Sequence, residues 1–105
     1  MSNQLLRNFI NGRFVDGGFG ETSRVINPTN EASYATAPIS DEHDVASAYQ
    51  AAGEAFDGWS NTTPAERQLA LLKIADALEA RAEEFADAES LNTGKPRTHL
   101  VETEI

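Results

Sequence analysis

The sequence TPAERQLALLKIADALEARAEEFADAESLNTGKP, residues 63–96, decides the fold. It predicts one long helix with a defined beginning and a defined end. Thr63 and Glu66 have the spacing of a capping box, in which each side chain accepts a hydrogen bond from the backbone N–H of the other residue. Gly94 suits the left-handed residue that ends a helix, and Pro96 prevents the helix from continuing.

An apolar stripe runs along the predicted helix. Its members recur at steps of three and four residues, as the buried face of a helix requires. They are Leu71, Ile74, Ala75, Leu78, Ala82 and Phe85. None of these side chains can act in catalysis, so the sequence predicts a scaffold helix whose stripe packs against a partner.

A second helix is predicted before this one. Ser40 is its expected N-cap, and Asp41 and Asp44 in the first turn suit the positive end of the helix dipole. Apolar residues mark its buried side: Val45, Ala48, Tyr49, Ala52, Ala55, Phe56 and Trp59. The helix is expected to end near residues 60–62. The connection is then short enough to make the two helices antiparallel neighbours.

The N-terminal part predicts a β-hairpin. Asn11-Gly12 lies between two short apolar runs and suits a two-residue type I′ turn, because both of its residues need a positive φ. Counting outward from the turn pairs Phe9 with Phe14. The two phenylalanines then form a cross-strand pair on one face, which an isolated hairpin cannot shield from water.

Two further strands complete the fold prediction. Residues 24–26 and 32–39 are expected to be strands on either side of an Asn-Pro turn. The chain is therefore predicted to be an α+β fragment, with an N-terminal β-hairpin and short strands at residues 1–39 and an antiparallel helical hairpin at residues 40–96. Residues 97–105 are expected to start a further helix, and all three parts belong to one incomplete domain.

Composition limits the class of protein. The chain has 105 residues, no cysteine and a net charge of −9. The absence of cysteine removes disulfides, thiolate metal sites and a cysteine nucleophile, and it suits a reducing, cytoplasmic location. Residues 40–92 carry twelve carboxylates against three basic side chains and so account for the whole net charge. No basic surface is available for nucleic acid, and no apolar run approaches the ~18 residues of a membrane span.

Several catalytic motifs are excluded by their spacing. The segment TGKP at residues 93–96 resembles the end of a phosphate-binding P-loop. Glu89 stands where that motif needs its first glycine, and Pro96 replaces the hydroxyl residue that binds magnesium. His43 and His99 lie far apart and predict no zinc site. No G-x-S-x-G elbow supports a hydrolase triad.

Short motifs across residues 8–96 resemble, in order, the beginning of an aldehyde dehydrogenase. Each motif alone is weak, but five in register cover most of this chain. They are Phe9-Ile10-Asn11-Gly12, then Val25-Ile26-Asn27-Pro28, then Ala51-Ala52 with Ala55-Phe56 and Trp59, then Pro64-x-x-Arg67 with Leu71-Leu72 and Ala75-Asp76-x-Leu78-Glu79, and finally Leu91-Asn92-Thr93-Gly94-Lys95-Pro96. Members of that family are several hundred residues long, so the chain resembles only the first part of a member.

The resemblance implies a structural role for this part of an α/β aldehyde dehydrogenase fold. In the family, the N-terminal hairpin and helices pack around a Rossmann-like domain that binds NAD or NADP. A later cysteine and glutamate oxidise an aldehyde to a carboxylic acid. These 105 residues contain neither the cysteine nor the dinucleotide-binding units, so no cofactor is expected to bind this chain alone. The family's Gly-Lys-Pro turn is structural, and Lys95 inherits no catalytic role.

The resemblance also implies part of a site for a monovalent cation. Many family members use the carbonyl of the residue before Asn-Pro and the side chain of an aspartate two residues before Gly-Lys-Pro. Those positions are Ile26 and Asn92 in this chain. Asn92 keeps an amide oxygen but lacks the charge of the aspartate, and a third ligand would come from beyond residue 105.

Three functions are open on the sequence alone. The first is an N-terminal segment of an aldehyde dehydrogenase, catalytically silent by itself, whose partner is the remainder of the enzyme. The second is a stand-alone acidic interaction module, in which the helices and the face of Phe9 and Phe14 drive assembly. The third, a small acidic metal- or ligand-binding protein, rests on charge alone. If the chain folds by itself, it is expected to self-associate through its exposed apolar faces.

Overall fold

The computed structural model describes residues 4–18 and 20–105. Within these residues the strands come first and the helices follow. The elements are β1 (Gln4–Leu5), β2 (Asn8–Ile10), β3 (Arg13–Val15), β4 (Thr22–Ile26), β5 (Ser33–Pro38), α1 (Glu42–Ser60), α2 (Pro64–Ala80), α3 (Ala82–Thr93) and α4 (Arg97–Thr103). The two predicted short strands correspond to β4 and β5, and the predicted further helix to α4. This order confirms the α+β class.

The predicted hairpin is confirmed. Asn11 and Gly12 have φ angles of 55° and 78°, as a type I′ turn requires. β2 and β3 pair antiparallel, with Phe9 opposite Phe14. The two rings meet edge to face with their centroids 5.2 Å apart, which is a favoured geometry for an aromatic pair. Both side chains are nevertheless exposed, Phe9 by 64% and Phe14 by 62%.

A three-stranded sheet contains the remaining strands in the order β1-β5-β4. β4 and β5 are antiparallel, and their register shifts between Val25 and Ile26. β1 pairs parallel with β5 through Gln4 and Leu5. β1 was not predicted from the sequence, because two residues are too few to show the alternation of a strand. Ala35 in the central strand β5 is fully buried.

The prediction of one helix over residues 63–96 is wrong. α2 ends at Ala80 and α3 begins at Ala82. Arg81 between them has a φ of −119° and a ψ of 24°. Its N–H donates to the carbonyl oxygen of Leu78 at 3.1 Å, which closes a tighter turn than that of an α-helix. Neither glycine nor proline marks this position, so the helix-favouring residues around it gave no sign of the break.

The break divides the predicted apolar stripe between α2 and α3. Leu71 and Ile74 on α2 are 63% and 64% exposed, and Phe85 on α3 is 43% exposed. α3 packs instead against α4. Each of these two helices contributes one fully buried residue, Ala86 from α3 and Leu100 from α4. The fully buried helical positions of the described residues therefore lie outside the stripe.

The N-cap of α1 is Asp41, and the prediction of Ser40 is wrong. The Asp41 carboxylate accepts from the Asp44 N–H at 2.8 Å, and the Asp44 carboxylate accepts from the Asp41 N–H at 3.0 Å. This reciprocal pair is a capping box. Ser40 instead accepts a hydrogen bond from the side-chain amide of Asn8 at 2.9 Å. A carboxylate is favoured over a hydroxyl here, because its charge complements the helix dipole and strengthens the hydrogen bond.

The chain forms two compact units. The first comprises residues up to Ile26 together with Ser33–Asn61, and so holds the strands and α1. The second comprises Asn27–Ala32 and Thr62–Ile105, and so holds the β4–β5 turn and α2 to α4. The three-part division of the sequence and the antiparallel pairing of α1 with α2 stay predictions. None of the helices in the described residues has the length and apolar character needed to cross a membrane.

Thr63→Ala should lower the free energy of unfolding by about 1 kcal/mol, a typical loss for a removed N-cap. The Thr63 hydroxyl accepts from the Glu66 N–H at 3.2 Å, and the Glu66 carboxylate accepts from the Thr63 N–H at 2.6 Å. The substitution therefore breaks half of a capping box. Urea unfolding at low protein concentration, followed by circular dichroism, measures the change. Gln68→Ala in the same helix is the control, and an equal loss in both variants would contradict the role of the cap.

Candidate functional site

The two residues predicted to bind a cation lie near the ends of secondary-structure elements. Ile26 is the last residue of β4, and it pairs with Ser33 directly after the irregularity in the register. Asn92 lies in the last turn of α3. Ile26 belongs to the first unit and Asn92 to the second. The cation site made of both residues stays a prediction.

The Asn-Pro turn packs against the end of α3. The Asn27 side-chain oxygen accepts from the Thr29 N–H at 2.9 Å, and the Asn27 carbonyl accepts from the Glu31 N–H at 2.8 Å. These bonds close the turn. Gly94 has a φ of 78°, and a side chain there would begin 3.2 Å from Cγ of Pro28. The left-handed backbone and the neighbouring proline thus both favour glycine.

Lys95 and Arg97 form ion pairs that join α3, α4 and the turn between them. The Lys95 ammonium lies 2.9 Å from Oε2 of Glu104. Hydrogen bonding to that carboxylate, together with its charge, raises the pKa of Lys95. Arg97 pairs with Glu83 and Asp87 of α3. Lys95 therefore links the turn between α3 and α4 to Glu104, directly after α4.

Asp44 is the buried charged side chain of the described residues, with an exposure of 8%. Its oxygens accept from the Gly18 N–H at 2.9 and 3.1 Å and from the Asp41 N–H at 3.0 Å. The bond from Gly18 and then the bond from Asp41 lower the pKa of Asp44. A side chain at position 18 would begin 2.5 Å from Oδ2 of Asp41. Asp44 thus holds the loop of Gly17 and Gly18 against the beginning of α1.

The histidines do not form a site together. His43 and His99 are both exposed and belong to different units. Nε2 of His99 lies 3.6 Å from Oε1 of Glu104. In residues 4–18 and 20–105, no group of three or more His, Asp or Glu side chains is placed to hold a metal ion. The structure therefore adds no support to an acidic metal-binding protein.

Open clefts lie between the hairpin and α1 in the first unit. One, of about 420 Å³, has polar walls that include Arg13, Asp16 and Glu54. Another, of about 490 Å³, we call the hairpin groove; its lining residues are Phe9, Ile10, Asn11, Gly12, Ala48, Ala51, Ala52 and Ala55. None of these lining side chains carries a charge. The hairpin groove is thus suited to packing and offers no group for acid–base or nucleophilic chemistry.

A sequence profile of a known protein family matches most of this chain. The sequence profile described as "Aldehyde dehydrogenase family" matches residues 14–105. The chain belongs to the aldehyde dehydrogenase family. Aldehyde dehydrogenase 1 of Tanacetum cinerariifolium is similar to this chain, with 44% identity over 90 residues, which cover 84% of this chain and 18% of that enzyme.

Two solved structures contain a fold similar to that of this chain. A variant of the enzyme from Bacillus cereus matches with a TM-score of 0.90 and 35% identity, covering 96% of this chain and 21% of that one. PnpE in complex with nicotinamide adenine dinucleotide matches with a TM-score of 0.87 and 41% identity, covering 98% and 20%. The α+β fragment is thus part of the aldehyde dehydrogenase fold. The chain spans about a fifth of the length of these relatives.

The turns of this family could be predicted from the sequence, but the role of Asp44 could not. Asp44 was predicted only to complement the helix dipole, because nothing near it in sequence shows that Gly18 is its partner. Two signals were present: an aspartate three residues after another aspartate, and a Gly-Gly pair at residues 17–18. The first has the spacing of a capping box, and the second allows close backbone approach. Only the fold brings the two together.

Gly94→Ala should lower the free energy of unfolding by about 1–2 kcal/mol, because alanine is strained in the left-handed region. Its methyl group would also meet Pro28. Gly53→Ala is the matched control. Gly53 lies inside α1, and an added methyl group would have no atom within 4 Å, so this change should stabilise the chain by about 0.5–1 kcal/mol. Urea unfolding measures the two opposite shifts. A Gly94→Ala variant as stable as the parent would rule out the packed turn.

Asp44→Asn should lower the urea midpoint, and the loss should depend on pH. The pKa of Asp44 is lowered in the folded state, so its carboxylate contributes stability above its unfolded pKa of about 3.9. That contribution disappears as the pH falls through the lower folded-state pKa. The parent and the variant should therefore differ most above about pH 5 and converge in acid.

Urea midpoints measured across the acid range test this dependence. Glu42→Gln is the control, because it removes a charge from the same helical turn and leaves the bonds to Gly18 and Asp41 in place. It should lower the midpoint less than Asp44→Asn does. Equal midpoints for the parent and Asp44→Asn at neutral pH would show that the carboxylate does not hold the loop.

Proposed function

We propose that this chain is the N-terminal structural segment of an NAD(P)-dependent aldehyde dehydrogenase, which oxidises an aldehyde to a carboxylic acid. The segment itself contributes no catalytic residue and is inactive alone. The observation that carries this proposal is the family match over residues 14–105, together with the likeness of nearly the whole chain to about a fifth of the Bacillus cereus aldehyde dehydrogenase at a TM-score of 0.90.

The exposure of apolar side chains supports a scaffolding role. Leu71, Ile74 and Phe85 are members of the predicted stripe, and their side chains are exposed. On α1, Tyr49 and Phe56 are 78% and 65% exposed. Such extensive apolar surface is typical of surfaces that another part of a protein covers. We therefore propose the remainder of the enzyme as the partner of these faces.

We propose that the described residues do not hold NAD or NADP. The loop of Gly17 and Gly18 is the glycine-rich turn that most resembles a phosphate cradle. The Gly18 N–H, however, is already donated to the Asp44 carboxylate, and that negative charge would repel a phosphate. The cofactor of the complete enzyme, NAD or NADP, is thus proposed to bind outside this segment, with no cofactor held by these residues.

Two finer parts of the proposal rest on the sequence. The carbonyl of Ile26 and the side chain of Asn92 are proposed as partial ligands of a monovalent cation, by resemblance to other family members. A cytoplasmic location is proposed because the chain has no cysteine and so needs no oxidising compartment.

The second candidate is a stand-alone assembly module without catalytic activity. The exposed aromatic pair of Phe9 and Phe14 favours it, because aromatic side chains are common anchors of protein interfaces. In this case the covering surface is another copy of the chain. The module would form an oligomer of defined size and would not complement any enzyme.

A chimera tests the first candidate. This chain replaces the matching N-terminal segment of the Bacillus cereus aldehyde dehydrogenase, with the enzyme lacking that segment as the control. The chimera should fold and reduce NAD or NADP in the presence of an aldehyde that the parent enzyme oxidises. The 105-residue chain alone should show no turnover. An inactive chimera, together with a defined oligomer of the isolated chain, would favour the assembly module instead.

A further inference from the structure

The turn at the tip of the hairpin, Asn11-Gly12, is exposed at both of its residues. Within residues 4–18 and 20–105, the Asn11 side chain and the Gly12 N–H have no hydrogen-bond partner. We propose that this turn is a site of spontaneous modification, at which Asn11 loses ammonia and becomes aspartate or isoaspartate. This chemistry is independent of the proposed function.

The reaction needs only the side-chain amide of Asn11, the backbone N–H of Gly12 and water. The Gly12 nitrogen forms a bond to Cγ of Asn11, while the bond from Cγ to Nδ2 breaks. Nδ2 leaves as ammonia and takes the proton of the Gly12 nitrogen, so the product is a cyclic imide. Water then opens the ring. Attack at Cγ gives aspartate, and attack at the backbone carbonyl carbon gives isoaspartate, in which the main chain runs through Cγ.

Glycine at position 12 leaves room for this ring closure. A Cβ on the residue after an asparagine crowds the approach to Cγ, and glycine has none. A side chain at position 12 would meet no atom within 4 Å apart from its chain neighbours, so water can reach the ring. Closure also requires the turn to leave its type I′ geometry. β2 and β3 have three residues each, and so short a hairpin opens locally at low cost.

The other asparagines that the structure describes lack this combination. Each of them has an interaction partner: Asn8, Asn27, Asn30, Asn61 and Asn92. None of them precedes a glycine. Asn27 is followed by Pro28, which has no N–H with which to close the ring. Asparagine is a thermolabile residue in general, but in this part of the chain the sequence and the fold favour loss of ammonia at Asn11.

The isoaspartate product does not suit the hairpin. A type I′ turn joins its strands through two residues of ordinary length. Isoaspartate adds one carbon to the main chain between Ile10 and Arg13, which pair across the two strands. The pairing of Phe9 with Phe14 should therefore loosen. Aspartate should keep the turn, because Asp-Gly is also favoured in type I′ turns, and it adds only a negative charge.

Ageing of the purified chain at mildly alkaline pH, followed by mass spectrometry, tests the site. Trypsin cleaves after Arg7 and Arg13 and releases residues 8–13, so one peptide contains both Asn8 and Asn11. We expect this peptide to gain the mass difference between an amide and a carboxylic acid at Asn11 and to stay unchanged at Asn8. The intact chain should shift by one negative charge in isoelectric focusing. Asn11→Gly also suits a type I′ turn and is the matched control, which should show neither change.

A second incubation in urea measures the same reaction in the unfolded chain. Loss of ammonia from Asn11 in buffer, at a rate of the same order as in urea, supports the inference. An Asn11 that keeps its amide in buffer and loses it in urea would show that the turn protects it and would overturn the inference. Equal losses at Asn8 and Asn11 in buffer would also overturn it.

Chromatography of the aged chain separates the isoaspartate form and so tests its effect on the hairpin. This form should unfold at a lower urea concentration than Asn11→Asp, which carries the same added charge on an unchanged main chain. Equal midpoints would overturn the predicted loosening of the hairpin.

Discussion

The structure depends on one constraint, which is that few of its apolar side chains are buried. Within the described residues, the fully buried apolar side chains are Ala35, Ala86 and Leu100. Full burial of one large apolar side chain contributes about 1.5–3 kcal/mol. The large side chains of α1 and α2 are mostly exposed and cannot contribute this amount within the chain. The described residues therefore gain little of their stability from the full burial of large apolar side chains.

Polar interactions fix the backbone where the small core cannot. Asp44 binds two N–H groups from separate segments and so sets the path of the chain before α1. Gly94 allows the Asn-Pro turn to pack against the end of α3. The ion pairs of Lys95 and Arg97 are exposed and individually weak. Together they link α3, the turn after it and the end of α4.

Local signals predicted the local structure well. The Asn11-Gly12 turn, the pairing of Phe9 with Phe14 and the capping box of Thr63 follow from short-range chemistry. The break at Arg81 did not follow, because its neighbours favour a helix and only the surrounding packing opposes one. β1 was missed for a similar reason, since a strand of two residues exists only through its pairing with β5.

The candidate site could likewise be predicted only where its residues are close together in sequence. The capping signal at Asp41 and Asp44 was visible in the sequence, but the fold alone revealed Gly18 as the third member. The hairpin groove was also hidden, because Phe9 and the alanines of α1 are separated by about forty residues of sequence. Helical spacing grouped Ala48, Ala52 and Ala55 on a buried side, yet these alanines line an open cleft. The spacing of apolar residues identifies the side of a helix that is suited to packing, but it does not identify the segment that packs there.

The motifs that identify the family here serve backbone geometry. Asn11-Gly12 supplies two positive φ angles, and Asn27 closes a turn through its own side chain. Gly94 combines a positive φ with a close proline, while Lys95 pairs with a carboxylate of the same unit. None of these features needs a substrate or a cofactor to explain it. A segment can therefore resemble an enzyme family strongly and still contribute only the surfaces against which the catalytic parts are positioned.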